Sequence, residues 1–261
     1  MNVMDMFSLK GKVAVVTGGA GKYGRQIVDA LAEAGAETWL ASRNLANCER
    51  AAAELRGQGY QAQAVGLDQG DAASVLAARD AIAARSGRVD VLVNNAVARP
   101  MKKQWDDDPR AFDESMHVNA TGLFVVTREF GWLMERQRAG SIVNIASMMG
   151  LVGVETANYK GTTMGGFAPD YFFHKGGMIN FTRLCASYFG RFNVRCNAVS
   201  PGGLLSPEHP EPFVRQYSER TQLGRLANDT DLKGVIVFLA SDASAYVTGA
   251  NIPVDGGYTA K

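Results

Sequence analysis

The chain has 261 residues, long for one domain but within the range over which α/β folds keep a single core. Lysine and arginine number 27 against 26 aspartates and glutamates, with no long run of either sign, which argues against nucleic acid or a membrane surface as partner and for a small molecule. Three widely spaced cysteines, Cys48, Cys185 and Cys196, suit reduced thiols and lack metal-ligand spacing. With no run near the ~18 apolar residues of a membrane helix and no signal-like start, the expectation is a cytoplasmic protein.

Short apolar runs at 12–17, 37–41, 62–67, 89–94 and 141–146 alternate with amphipathic stretches that predict helices over 26–34, 44–56, 71–86 and 108–136. Gly57 and Gly87 stand at two of the helix ends as stops. A helix over 171–190, a strand over 194–199, a helix over 229–240 and a short strand at 251–254 follow. The strands lack polar alternation, so both faces should be covered. This predicts an α/β fold, a Rossmann-type doubly wound parallel sheet with helices on both faces, as one domain over 1–261. Two Gly- and Pro-rich stretches, 151–170 and 202–221, break the rhythm just past strand ends, and are expected to be substrate loops without regular structure.

Thr17-Gly18-Gly19-Ala20-Gly21-Lys22-Tyr23-Gly24 follows the first strand and opens a helix. Gly19, Gly21 and Gly24 fit G-x-G-x-x-G, where glycines allow a tight turn, close approach to a pyrophosphate and close helix–strand packing. A structural glycine turn is the plain alternative; the order strand, turn, helix favours a dinucleotide. At the end of the second strand, where a carboxylate would hold the ribose diol of NAD, the chain reads Ser42-Arg43-Asn44. Arg43 can pair with a 2′-phosphate, Ser42 can donate to it and Lys22 adds charge, so NADP is expected over NAD.

Tyr171 and Lys175 stand four apart, hence on one helix face. Alone, that pair means little. Together with Thr17-Gly18 through Gly24, Asn94-Asn95-Ala96, Asn119, Ser147 in Asn144-Ile145-Ala146-Ser147, Pro201-Gly202 and Val254-Asp255-Gly256-Gly257, the sequence resembles the short-chain dehydrogenase/reductase family over nearly its whole length. The resemblance implies Tyr171 as acid/base, Ser147 holding the reacting oxygen, Lys175 on the nicotinamide ribose and Asn119 supporting a water relay. It further implies Asp68 and Gln69 at the adenine end, Asn94, Asn95 and Ala96 along the cofactor's middle, Pro201, Gly202 and Ser206 near its nicotinamide end, and a homotetramer built on paired long helices. The chemistry is sensible: a free phenol titrates near ~10, and an adjacent ammonium would bring it toward neutrality. In the reductive direction Tyr171 would donate a proton to a carbonyl oxygen that Ser147 steadies.

Three departures from the family pattern stand out. Lys22 occupies the position of the family's second glycine, the turn following instead T-G-x-x-G-x-x-G; Val97 stands where a glycine is usual; and Ser147 and Tyr171 are 24 apart, an insertion over the expected site. The insertion, with Tyr159-Lys160-Gly161-Thr162 and Met164, resembles a subset acting on acidic nine-carbon sugars and other sugar derivatives. Arg99, Lys102, Lys103 and Lys160 are expected to receive an anionic or polyhydroxylated alcohol or ketone, with a solvated basic loop as the alternative. Met101 and Trp105 are candidates for pocket or core, and His117, His174 and His209 are too scattered for a metal triad. Rival functions are a non-catalytic nucleotide sensor, or an epimerase or dehydratase on the same fold.

Overall fold

The structure, a computed structural model, describes residues 2–165 and 168–260; positions 166 and 167 of the expected loop over 151–170 lie outside the described residues. Strands and helices alternate as β1 (Val13–Thr17), α1 (Lys22–Glu33), β2 (Glu37–Ser42), α2 (Leu45–Gly57), β3 (Ala62–Gly66), α3 (Ala72–Ser86) and β4 (Val91–Asn94). They continue as α4 (Pro109–Met116), α5 (Leu123–Gln137), β5 (Gly140–Ile145), α6 (Pro169–Phe189), β6 (Val194–Pro201), α7 (Glu211–Ser218), α8 (Lys233–Ala240) and β7 (Asn251–Val254). The seven strands form one sheet in the order β3-β2-β1-β4-β5-β6-β7, each neighbouring pair parallel. The doubly wound α/β expectation is met.

The period of two divides each central strand between two apolar layers. On one face Ala14, Val16, Val91 and Val93 pack with Ile27 and Leu31 of α1 and Leu232, Ile236 and Leu239 at and within α8. On the other, Val13, Val15 and Leu92 pack with Val75 and Ile82 of α3, Phe130 and Met134 of α5, and Phe189 of α6. Among the described residues no helix is long and apolar enough to cross a membrane.

Four boundaries correct the sequence expectations. The first helix starts at Lys22 rather than 26, because Gly21 takes the extended cap conformation and the helix grows directly out of the glycine turn. The single helix expected over 108–136 is two helices joined by a π turn, His117–Gly122. The last helix loses its first turn: Asn228 accepts from the backbone N–H groups of Thr230 and Asp231, a local turn that competes with helix. The stretch 202–221 is not wholly irregular, since Pro210 and Pro212 start α7, which buries Phe213 and Tyr217 one turn apart.

Candidate active site

The strand order reverses between β1 and β4, which opens a crevice at their C-terminal ends. Thr17 stitches the two ends together: its Oγ1 accepts from the backbone N–H groups of Asn95 and Ala96, each at 3.0 Å. The Asn95 amide donates in return to the carbonyls of Thr17 and Gly18 at 3.0 and 3.1 Å. Asn94 faces the other way, into the core, donating to Thr127 and Asn144.

A cavity of about 920 Å³ runs from this crevice across the sheet edge, near the upper end of the size usual for small-molecule sites. At one end lies the glycine turn. Gly18 has φ +67°, and a Cβ on Gly24 would stand 2.1 Å from the Gly18 carbonyl oxygen, so the turn closes only without side chains there. Gly21 caps α1 with no side-chain bond, leaving the first-turn N–H groups of a helix pointing at the cavity end. These are the features a pyrophosphate needs, and the residues fit a dinucleotide.

At the other end, α6 presents Tyr171 and Lys175 one turn apart. Lys175 is buried, its Nζ donating to the Ile145 carbonyl at 2.5 Å and lying 5.8 Å from the centre of the Tyr171 ring. Burial, and secondarily the charge of Arg99, push its pKa down from 10.5 to about 7. Arg99 lies over the same Tyr171 ring at 4.4 Å. Ser147 is buried in the same wall, its Oγ accepting from the Met149 N–H at 3.1 Å, which leaves the hydroxyl hydrogen to donate elsewhere. His174, also on α6, packs edge-on against Tyr171 and is buried with both ring nitrogens unpaired; burial, then Lys175 and Arg99, lower its pKa to about 3, so it stays neutral.

Asn119 sits in the π turn, a wide turn often found at functional sites. Its side chain clamps the segment that carries Arg99: Oδ1 accepts from the Ala98 N–H, and the amide donates to the Ala98 carbonyl and to Ser115 Oγ. Ser115 in turn donates to the buried carboxylate of Asp170.

Of the residues singled out from sequence, Gly18, Gly21, Lys22, Tyr23, Gly24, Ser42, Asn95, Ala96, Ser147, Tyr171, Lys175, Pro201 and Gly202 line this one cavity. Gly19, Arg43, Asp68, Gln69, Asn119 and Ser206 lie outside its lining. Arg43 is exposed beside Ser42; Asp68 accepts from the Gly70 N–H; Gln69 donates to the Val118 carbonyl and so braces the π turn. Arg99, Met101 and Lys102 face the cavity, whereas Lys103 and Lys160 do not, and Trp105, 82 % exposed, belongs to neither pocket nor core. The insertion does reach the site: Tyr159 and Met164 line it, and Asn158 ties the insertion to the chain's end by donating to Tyr258 Oη at 2.8 Å. Sequence reasoning passed over Asp170, Phe213 and Tyr217, and took His209 only as a failed metal ligand, though all four line the cavity. The Phe213–Tyr217 spacing behind two prolines was the available signal.

A family model described as "Enoyl-(Acyl carrier protein) reductase" matches residues 21–259. Cyclopentanol dehydrogenase from a Comamonas species is 34% identical over 260 residues, 98% of this chain and all of that one. The crystal structure of a gluconate 5-dehydrogenase from Burkholderia cenocepacia J2315, in complex with NADP and tartrate, superposes with TM-score 0.89 at 29% identity and full coverage of both chains. That of an NAD+-bound xylitol dehydrogenase does so with TM-score 0.86 at 28% identity, covering 95% of this chain and 99% of the other. With that coverage and a complete parallel sheet carrying both the glycine turn and the Tyr171–Lys175 pair, the chain belongs to the short-chain dehydrogenase/reductase family, NAD(P)-dependent oxidoreductases acting on secondary alcohols.

Proposed function

We propose that the chain interconverts a hydroxylated, acidic, sugar-like alcohol and its ketone with NADP(H), using Tyr171, Ser147, Lys175 and Asn119. The observation that carries the reading is a buried lysine, Lys175, with no carboxylate partner among the described residues, 5.8 Å from the Tyr171 ring in a cavity that also holds the glycine turn. The bound nicotinamide supplies or accepts the hydride. In reduction Tyr171 protonates the carbonyl oxygen while the Ser147 hydroxyl donates to that oxygen as charge grows on it. Lys175 favours the phenolate left behind. Asn119 spends both amide hydrogens on Ala98 and Ser115, so a water it holds can only donate to it, at Oδ1 or at the main-chain carbonyl.

For the substrate, the support is Arg99 and Lys102 in the cavity wall, with Arg99 in no ion pair among the described residues and so available to a carboxylate. For NADP, it is Arg43 exposed beside Ser42 in place of an acidic residue. The stretches 151–170 and 202–221 serve as substrate loops on this reading. Three free, buried cysteines suit a cytoplasmic setting. The test is a panel of sugar acids, polyols and simple ketones with each cofactor, read by reduced-nicotinamide absorbance. Tyr171→Phe is expected to lower kcat at least 100-fold, within the usual reach of acid–base catalysis, with cofactor affinity nearly unchanged. Full activity in that variant removes Tyr171 from the mechanism. Faster turnover of apolar ketones than of hydroxy acids removes the substrate class, and a clear NAD(H) preference removes the cofactor choice.

A further inference from the structure

We infer that Lys22 and His209 form a two-armed clamp on the pyrophosphate of the dinucleotide, one arm from the glycine turn and the other from the loop between β6 and α7. The inference rests on the cofactor reading above and assigns Lys22 to a different phosphate.

The turn and the loop are already strapped together. Tyr23, next to Lys22, donates its hydroxyl to the Gly202 carbonyl at 2.9 Å across 179 positions of sequence. Lys22 and His209 line the same cavity. Lys22 is the first residue of α1, at the helix end that favours anions, and it is exposed with no ion-pair partner among the described residues. It stands where the family pattern has a glycine, so close approach of the backbone is exchanged here for an ammonium.

His209 is oriented as a donor. The Ser206 N–H donates to its Nδ1 at 3.3 Å, and the ring rests edge-on against Phe213 with centroids 5.0 Å apart. A neutral imidazole whose Nδ1 accepts must carry its proton on Nε2. Burial and then the charge of Lys22 both press the ring toward that neutral form, against a weaker opposing pull from exposed Glu208, so the two arms sense each other across the cavity. An ammonium and an N–H donor lining one cavity beside a helix N-terminus, neither in an ion pair among the described residues, suit a bridging diphosphate. A 2′-phosphate would instead sit at the end of β2, by Ser42 and the exposed Arg43.

The test is calorimetric titration of NAD+, NADP+, ADP-ribose and adenosine 2′-monophosphate into wild type, Lys22→Met, His209→Ala, His209→Gln and the double variant. Each arm is expected to be worth about tenfold in Kd, the size of a hydrogen bond to a charged group. Lys22→Met and His209→Ala should therefore weaken NAD+, NADP+ and ADP-ribose by the same factor and leave adenosine 2′-monophosphate unchanged. His209→Gln, which keeps a donor, should recover part of the loss, and the double variant should lose less than the product of the singles. Loss of NADP+ affinity alone in Lys22→Met returns that residue to the 2′-phosphate and overturns the clamp, as does unchanged affinity in His209→Ala. Wild-type protein that binds none of the dinucleotides overturns the cofactor reading and the clamp with it. Both side chains lie at the surface of the cavity, and equal thermal midpoints for all variants would show that folding is not what changed.

Discussion

Lys175 is an amine held in the interior with no ion-pair partner among the described residues, and the cost of its charged form is recoverable by pH. In an unfolded chain it would titrate near 10.5, while burial brings it to about 7 in the folded protein. Between those values the unfolded chain binds a proton that the folded chain does not, so stability rises with pH across that window and levels off below it. The slope is at most about 1.4 kcal/mol per pH unit for one group. Measured without cofactor, the urea midpoint of wild type should climb relative to Lys175→Met between pH 7 and 9; a constant gap between the two would remove the buried-cation account. The pairing of Lys175 with Tyr171 could be read from a spacing of four because a helix puts such residues on one face. The stacking of Arg99 on Tyr171 could not, since it depends on Asn119 gripping Ala98 from 21 positions away. His209 was illegible for the same reason: its donor role exists only once Ser206 and Lys22 are placed around it.

The strands were legible because central strands of a parallel sheet are buried on both faces and so read as continuous apolar runs; all five residues of β1 are buried. The π turn was not, because it changes the hydrogen-bond period without changing the hydrophobic pattern across 108–136. What the turn achieves is local. It seats Gly122 against the loop after β3, where an added Cβ would stand 2.3 Å from the Gln69 carbonyl oxygen, and it holds Asn119 on Ala98. Gly122→Ala should therefore push the helix off that loop, costing about 1–3 kcal/mol as over-packing does. Because the Asn119 clamp moves with it, kcat should fall more than KM rises, and simultaneous removal of the clamp in Gly122→Ala/Asn119→Ala should add little further loss. A full additional loss in the double variant would show that the two sites act independently.

At the scale of the molecule, α5 and α6, which pack on one face of the sheet, each also leave large apolar side chains exposed. On α5, Phe124 and Trp132 are 47 % and 39 % exposed, and the Arg128 guanidinium between them lies over both rings at 5.3 and 5.1 Å. On α6, Leu184 and Tyr188, four apart, are also exposed. Two adjacent helices that each expose an ordered apolar stripe mark a contact surface, since isolated monomers rarely leave contiguous patches of that kind. On the expectation of a tetramer built on paired long helices, α5 and α6 of one protomer would meet the same pair of another, a self-complementary contact that closes under a two-fold axis. Light scattering on the eluting protein should give four times the 28.0 kDa chain mass. Trp132→Glu, which sets a carboxylate into the stripe beside buried Glu129, should shift the mass downward while the circular dichroism of the separated protomers stays that of the folded chain. A wild type that elutes as a monomer, or a Trp132→Glu variant that keeps the full assembly, would place the contact surface elsewhere.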